Sequence, residues 1–483
     1  MADNFDVDAI DRASGYIVGS TKQGVQIRAP LLKLEPYKVA FEVFQLLPEL
    51  RVSQALDKFK IHIGDQIIYE GQAVTSNLIE LGASVVCEAT LEDAWVDATG
   101  RTSALSKLKG GELFGEFLAT WEANYRVRSE FKAAVADLQT FLADMKLWLD
   151  QIELGCRRSR SPESIINTAM ELASHTAPAI TNLFENFERA LAGIDGGHTS
   201  VYQNYAKRQL HRSLLCSPFL HRTYTKPLGY AGDYEMVNMI CRNPFEGESL
   251  YAKLVNHWFI QQPPAEAHRN RITFLVECLH EAVLKAKRHG RQARIMSIGC
   301  GPAQEVQRFI AESELSDQTY FRLVDFNEET ANYTQNILSN LKQQHHRSVE
   351  IEMVRKSVHQ ILKQAGRTAA IPPEDQFDFV YCAGLFDYLT DQTCHRLTNI
   401  LHQQVRPGGM FVSTNVDIFN PRRLTMDYVM DWHLIYRDGR GLAALRPDGV
   451  ESCDESVTSD DTGVNIYYTL RKPERERASA NKY

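Results

Sequence analysis

The stretch that most restricts what this chain can fold into is IMSIGCGPAQE, Ile295–Glu305. Its context, ARIMSIG, is a short apolar run of the kind that fits a strand buried on both faces of a parallel sheet. Gly299 and Gly301 then permit a tight turn and let a ligand approach the backbone closely. Pro302 suits the first turn of a helix, and Val306, Phe309 and Ile310 fall on one face of that helix. Strand, glycine turn and helix in this order is a setting for nucleotide binding. The turn alone is compatible with a phosphate, a dinucleotide, a ligand without phosphates, or no ligand at all. A phosphate loop would end in Gly-Lys-Ser/Thr, which is missing here. A dinucleotide fingerprint would place a third glycine at 304, where Gln304 stands. Glu305 adds a carboxylate at the helix N-terminus, where a diphosphate would be repelled. A ligand without phosphates fits best.

The pattern continues to alternate strand and helix. YFRLVD is a second strand ending at Asp325, and a carboxylate there can accept both hydroxyls of a ribose. NEETANYT starts a helix, and MVRKSVHQI brings a third strand end near Ser357 and Val358. FDFVYCAGLFDYL reads as a fourth strand. LHQQVRPGGMFVSTN reads as a helix, a Pro-Gly-Gly turn and a fifth strand, with Gly408 or Gly409 supplying a positive φ. GVNIYYTLRKP reads as one more strand, inserted antiparallel. A doubly wound α/β domain is predicted.

This series, over roughly Arg291–Pro473, resembles class I S-adenosylmethionine-dependent methyltransferases. The resemblance implies a seven-stranded Rossmann-like domain, S-adenosyl-L-methionine as cofactor, and methyl transfer (EC 2.1.1.-) as activity. It also implies roles for individual residues. Gly299, Cys300 and Gly301 would lie beneath the methionine part of the cofactor, and Asp325 would hold its ribose. Phe326 and Asn327 would flank the adenine, Ser357 and Val358 would approach its ring, and Cys382, Ala383 and Gly384 would line the cofactor from the fourth strand. Ala303 departs, as a small residue, from the commonest third glycine of that family's turn.

A narrower resemblance covers about Tyr224–Arg437. KPLGYAGDYEMVNMI, PFEGESLYAKLVNHWF, PPAEAHRNRI, YCAGLFDYL and MDWHLIYR are similar to proteins of extracellular factor 3-hydroxypalmitic acid methyl ester biosynthesis. That likeness implies a small-molecule acceptor, with a methyl ester of a hydroxylated fatty acid as one outcome. From the residues themselves, the glycines and tyrosines around Gly229 and Gly232 suggest a loop that closes over a ligand. Tyr224, Tyr230 and Tyr234 can face a sulfonium, whose charge is attracted to aromatic rings. Asp233 or Glu235 can take an amino group, and Arg271 can take a carboxylate in a bidentate pair. The alternative is that the tyrosines pack and the carboxylates cap a helix.

Upstream, residues 1–105 read as a β-rich domain: YKVAFEVF alternates with Val39, Phe41 and Val43 on one face, and FKIHIGDQIIYEG reads as a hairpin around Gly64-Asp65. This part resembles a PilZ-like barrel but lacks the paired arginines and the D-x-S-x-x-G turn that grip cyclic di-GMP. Residues 106–222 read as helical. Phe131, Val135, Leu138, Leu142, Met145, Leu149 and Ile152 follow a 4-3-4-3 spacing, with Gly155 as a helix end. Ser161-Pro162 then starts a second helix carrying Ile165, Ile166, Leu183, Phe184 and Phe187, with Pro178 as a kink site. Such a hairpin packs on a neighbour or on a second copy. The cofactor domain with an N-terminal helical lid is expected over 223–475, and 476–483 as a disordered tail.

The net charge of −8 argues against a nucleic-acid partner. Nine cysteines, none in a C-x-x-C pair, suggest neither zinc nor a disulfide framework and fit a reducing cytoplasm. The fifteen histidines form no metal-like pattern, and no apolar run reaches about 18 residues, as a membrane span would require. For catalysis, a carboxylate acceptor needs no base, whereas a hydroxyl or amine does. His433 in MDWHLIYR is the first candidate base and Asp387 the second, with Tyr436 near His433 in the same segment and Arg437 as an anchor for an anionic acceptor. Three functions stay open: a small-molecule methyltransferase, a protein methyltransferase (or another natural-product O-, N- or S-methyltransferase) with N-terminal target recognition, and a cofactor-binding regulator without turnover.

Overall fold

Alternation of apolar and polar residues builds six antiparallel strands near the start of the chain in the computed structural model. The structure describes residues 15–35, 37–44, 50–64, 66–81, 84–92, 115, 118, 127–158, 162–194, 199–365, 371–372, 375–451 and 453–474. The Ser161 cap and the tail 476–483 lie outside the described residues. The chain forms two compact units. The first comprises 1–231, 245–259 and 423–433; the second comprises 232–244, 260–422 and 434–483.

In the first unit, β1 (Gly15–Thr21), β2 (Gln26–Glu35), β3 (Lys38–Phe44), β4 (Ala55–Ile63), β5 (Gln66–Glu80) and β6 (Ser84–Leu91) close a barrel in the order β1-β2-β3-β6-β5-β4. Closure pairs every strand on both sides and removes the exposed edges that invite aggregation. Val39, Phe41 and Val43 point inward against Ile17, Leu56, Phe59 and Cys87. Two long helices follow, α1 (Ser129–Arg158) and α2 (Pro162–Leu191). The heptad residues of α1 from Phe131 to Leu149 are buried. The helix does not stop at Gly155 but continues to Arg158. A glycine inside a helix costs only about 1 kcal/mol, less than the burial of the stripe gains. In α2 the helix runs on through Pro178. Its inward residues are Ala169, Ala173, Ile180, Phe184, Phe187 and Leu191, while Ile166 is exposed.

The next helix, α3 (Thr199–Leu214), buries a polar stripe of Ser200, Gln203, Asn204 and Lys207. This stripe meets the segment 423–433, which belongs to this unit although it lies far along the chain. Gln203 Nε2 donates to Asp427 O (3.2 Å), Lys207 Nζ to Asp431 Oδ2 (2.8 Å), and His211 Nε2 is bonded to Val429 O (2.8 Å). Lys226 Nζ donates to Met430 O (3.4 Å), and the barrel residue Ser53 exchanges hydrogen bonds with the backbone of His433.

The second unit is a seven-stranded sheet. Its strands are β7 (Ala293–Ile298), β8 (Thr319–Asp325), β9 (Glu350–Arg355), β10 (Phe377–Cys382), β11 (Val405–Val416), β12 (Asp454–Ser459) and β13 (Asn465–Arg471). The order is β12-β13-β11-β10-β7-β8-β9; β7 to β11 run parallel, and β13 lies antiparallel between β11 and β12. Gly408 supplies the positive φ (76°) at the Pro-Gly-Gly turn. One face is covered by the helix α4 (Pro263–Arg288), whose Leu275, Leu279 and Val283 pack in a core with Ile295, Phe321 and Phe379. The opposite face packs Met296, Val380 and Phe411 against Leu397, Leu401 and Leu442. The order reverses between β10 and β7, so a ligand is expected outside their carboxyl ends.

The Lys207–Asp431 pair yields a test. Asp431 is buried, and although burial alone would raise its pKa, the ammonium groups of Lys207 and Lys226 hold it down to about 2. Its ionisation therefore stabilises the fold above the ordinary aspartate range near pH 4, and this contribution is lost as the pH falls toward 2. Lys207→Ala, which strands a buried carboxylate, is expected to cost about 3–5 kcal/mol in urea unfolding at pH 7. Asp431→Asn is expected to flatten the acid limb of the stability profile.

Candidate functional site

The glycine turn sits at the carboxyl end of β7. Gly299 (φ 68°) and Gly301 (φ 53°) take left-handed backbone, and so does the buried Ala303 (φ 50°). The turn leads into α5 (Gln304–Glu312). The N–H groups of Gly299 and Cys300 both donate to Val324 O, at 2.8 and 3.1 Å, which ties the turn to the neighbouring strand. Asp325 ends that strand and is buried. Its Oδ2 accepts from Gly301 N (3.1 Å) and its Oδ1 from Asn327 N (2.9 Å). One carboxylate thus fixes the two turns that follow β7 and β8. Asn327 in turn caps the helix Glu328–Gln344 by accepting from Thr330 N.

On the other side of β7, Gly384 follows β10 with φ 82°. A Cβ at this position would lie 2.7 Å from Nη1 of Arg271, so the guanidinium packs directly on the Gly384 backbone. Arg271 comes from α4 and is buried at 8% exposure, yet it has no hydrogen-bond or ion-pair partner among the described residues. Arg437 contrasts with it. All five of its N–H groups are engaged, by Phe386 O, Leu389 O, Asn415 Oδ1 and Asp391 Oδ1. It locks the loop after β10 and has no donor left to anchor an acceptor, contrary to the sequence expectation.

The other predicted residues fall as follows. Cys300 is buried in the core; burial pushes its thiol pKa well up, and its Sγ donates toward Gly301 O. Cys382 and Val358 also direct their side chains into the core, and Ala383 packs against it, so their backbone is what they can offer a ligand. Phe326 follows Asp325 and is half-buried. Ser357 is half-buried and its Oγ accepts from Gln360 N. Asp387 is buried; its Oδ1 accepts from Val416 N (2.6 Å) and its backbone oxygen from Ile435 N (2.7 Å). Burial raises its pKa, against the pull of the Val416 N–H and the charges of Arg271 and Arg437. Tyr436 packs beside Ala267, Val416 and Val464.

Tyr230 and His433 belong to the first unit. There, the loop before Tyr230 is bonded to the barrel: Ala55 N donates to Gly229 O and Gln23 Nε2 to Leu228 O. His433 Nδ1 meets Asp427 Oδ1 at 3.1 Å, and its Nε2 is buried without a hydrogen-bond partner. In the second unit, Asp233 caps the helix Tyr234–Cys241 by accepting from Met236 N, and Glu235 pairs with Arg242. These carboxylates serve the helix, the alternative the sequence left open. Tyr234 stacks on Tyr333 at 4.5 Å.

Sequence reasoning passed over Glu305 as a partner. Its buried carboxylate accepts from Tyr381 Oη (2.7 Å), and burial raises its pKa against that hydrogen bond and Arg271. Gln304, at the place of the missing glycine, donates to Asn238 Oδ1 (2.7 Å). Among the described residues, no three or more His, Cys, Asp and Glu side chains gather as metal ligands would, and no helix is long and apolar enough to cross a membrane.

No family model and no curated protein matches the chain. Several solved structures are similar to parts of it. One is a possible exported protein from Bordetella parapertussis, with 16% identity and a TM-score of 0.38 over 65% of this chain and 99% of that one. Another is the N-methyltransferase NodS from Bradyrhizobium japonicum WM9 in complex with S-adenosyl-L-homocysteine, with 14% identity and a TM-score of 0.31 over 52% of this chain and 100% of that one. A third is the magnesium protoporphyrin IX methyltransferase ChlM from Synechocystis PCC 6803 with bound SAH, with 10% identity and a TM-score of 0.31 over 44% of this chain and 87% of that one. At these values the likeness carries no functional weight.

Gly384→Ala tests the packing at the strand end. The positive φ and the 2.7 Å clash with Arg271 are expected to lower stability by about 1–3 kcal/mol in urea unfolding. Arg271→Ala in the same background is expected to relieve the steric part of that loss.

Proposed function

We propose that the second unit binds S-adenosyl-L-methionine and that the protein is a methyltransferase acting on a small molecule. The arrangement that carries this reading is a glycine turn flanked by two side chains of opposite charge: Asp325 on the β8 side, and Arg271, buried without a partner, on the β10 side. The cofactor has groups to match. Arg271 would take its carboxylate, the turn Gly299–Gly301 would pass beneath its methionine part, and Asp325 would accept from the ribose hydroxyls. Glu305 favours a cationic ligand beside the turn and disfavours a diphosphate. The antiparallel β13 beside β11 agrees with the strand read from GVNIYYTLRKP, and the seven-stranded sheet with the domain that the resemblance implied.

The cofactor supplies an electrophilic methyl group when bound; the protein's part is to place the acceptor and exclude water. We keep a hydroxylated fatty acid, methylated to its ester, as the acceptor that the narrower sequence resemblance supports. His433, Asp387 and Tyr436 stay as catalytic candidates if the acceptor is a hydroxyl or amine instead. A pairing of two copies through the helical region stays part of the proposal, supported by the exposed Leu147, Trp148, Leu154 and Met170.

Calorimetric titration with S-adenosyl-L-methionine tests the central reading. Binding by the parent is expected, with a loss of roughly 10- to 100-fold in Asp325→Ala, as charge-assisted hydrogen bonds would give. A folded parent that binds none, with or without candidate acids present, overturns it. The pH profile of methyl transfer then separates acceptor types. A carboxylate acceptor is expected to give a rate flat above about pH 6, because carboxylates ionise near pH 4. An acceptor that needs a base is expected to lose about 10²- to 10⁴-fold when that base is removed.

A further inference from the structure

The antiparallel course of β13 brings its first residues to the carboxyl edge of the parallel strands. Asn465 pairs with Val416 and Tyr467 with Thr414 of β11. Two residues apart on a strand, Asn465 and Tyr467 share a face, the one covered by α4. Tyr467 stacks on Phe274 at 4.3 Å, and Asn465 Nδ2 donates to Ala267 O at 3.0 Å. The Ala267 carbonyl thereby fixes the amide with nitrogen toward α4 and leaves the oxygen as the other arm.

Both side chains are at least 97% buried, and each ends in a polar atom with no hydrogen-bond partner: Asn465 Oδ1 and Tyr467 Oη. Native structures rarely leave such atoms unsatisfied without a reason such as a ligand or an ordered water. The pair also adjoins the cofactor edge. Thr414, the register partner of Tyr467, accepts from Gly384 N at 3.0 Å, and Arg271 packs on Gly384. A row thus runs across β10, β11 and β13 from Gly384 through Thr414 to Tyr467, with Asn465 one step further along.

We propose that Asn465 and Tyr467 form the polar end of the acceptor subsite and recognise a neutral alcohol hydroxyl on the acceptor. This rests on the methyltransferase reading above. The chemistry selects the group. An amide oxygen only accepts, so the ligand must donate to Asn465, which a bare carboxylate cannot do. A phenol can donate, and burial raises the pKa of Tyr467, so its hydroxyl keeps its proton. An alcohol donates with its hydrogen and accepts with its oxygen. Neither residue is a base under these conditions, so they set specificity and do not activate the reacting atom.

Tyr467→Phe removes one atom and keeps the ring on Phe274, so the fold is expected to persist. Two experiments decide the matter. First, crystals of the parent with S-adenosyl-homocysteine are soaked in 1,2-propanediol. A hydroxyl bonded to Asn465 Oδ1 and Tyr467 Oη in the parent, and absent in Tyr467→Phe, is the expected result. An ordered water there that the diol does not displace, or no bound group, overturns the proposal. Second, methyl transfer is measured on 3-hydroxy acids and their deoxy counterparts. Tyr467→Phe is expected to lower kcat/KM for the hydroxy acids about 10- to 100-fold, mainly through KM, with little change for the deoxy acids. Equal effects on both series overturn it. Calorimetric affinity for S-adenosyl-L-methionine is read alongside: failure to bind in the parent counts against the methyltransferase reading, while the diol soak still decides the fate of the two atoms.

Discussion

The second unit depends on how one carboxylate is held. Asp325 spans the turns after β7 and β8 by accepting from Gly301 N and Asn327 N. The bonds do more than satisfy two half-buried donors. They fix the plane of the carboxylate and the path of two loops at the place where the sheet order reverses. Thr334 Oγ1 adds a bond to Gly301 O, so the helix after β8 grips the turn after β7 as well. A ligand that meets this edge finds its hydrogen-bonding groups already oriented, and little ordering entropy is spent on binding.

The first unit follows a different economy. Helix α3 buries polar residues, which is costly unless each finds a partner. The partners come from 423–433, a segment the chain delivers only after most of the sheet has been built. Gln203, Lys207 and His211 lie at four-residue intervals and bond two backbone carbonyls and one carboxylate of that segment. Lys226 is buried with no carboxylate bonded to it, and burial lowers its pKa to about 8 despite the attraction of Asp431. A cluster of this kind is specific because hydrophobic packing alone would tolerate many registers; the polar bonds accept one.

Much of this was legible in the residues. The apolar ARIMSIG run, the two glycines and Asp325 lie close in sequence and carry their geometry with them, so turn, strand and carboxylate could be read together. The alternation of Val39, Phe41 and Val43 announced the barrel wall, and the 4-3-4-3 stripe announced α1. The strand β12 was passed over because DESVTS is polar and lies at the sheet edge, where no burial imposes a pattern. The membership of 423–433 in the first unit was not legible either. Its apolar residues signal burial but not the surface that buries them. Glu305 could be seen beside the turn, but its bond to Tyr381 joins residues 76 positions apart, a distance over which periodicity says nothing.

Two buried arginines show why residue type alone could not assign the site. In sequence, Arg271 was read as a partner for the cofactor's carboxylate and Arg437 as an anchor for an anionic acceptor. In the fold, Arg437 is 5% exposed and spends every donor on the loop after β10, on Asp391 at the start of the next helix and on Asn415 of β11, so it acts as a structural clamp. Arg271 is nearly as buried, at 8%, but its guanidinium lies on the backbone of Gly384 and bonds to none of the described residues. Its charge is felt by the buried carboxylates of Glu305 and Asp387, but its N–H donors bond to neither. The glycine at 384 is what lets the guanidinium come so close, because any side chain there would push it off the strand end. The contrast shows what residue type cannot: Arg437 has spent its donors within the fold, whereas Arg271 keeps its donors unengaged by the described residues.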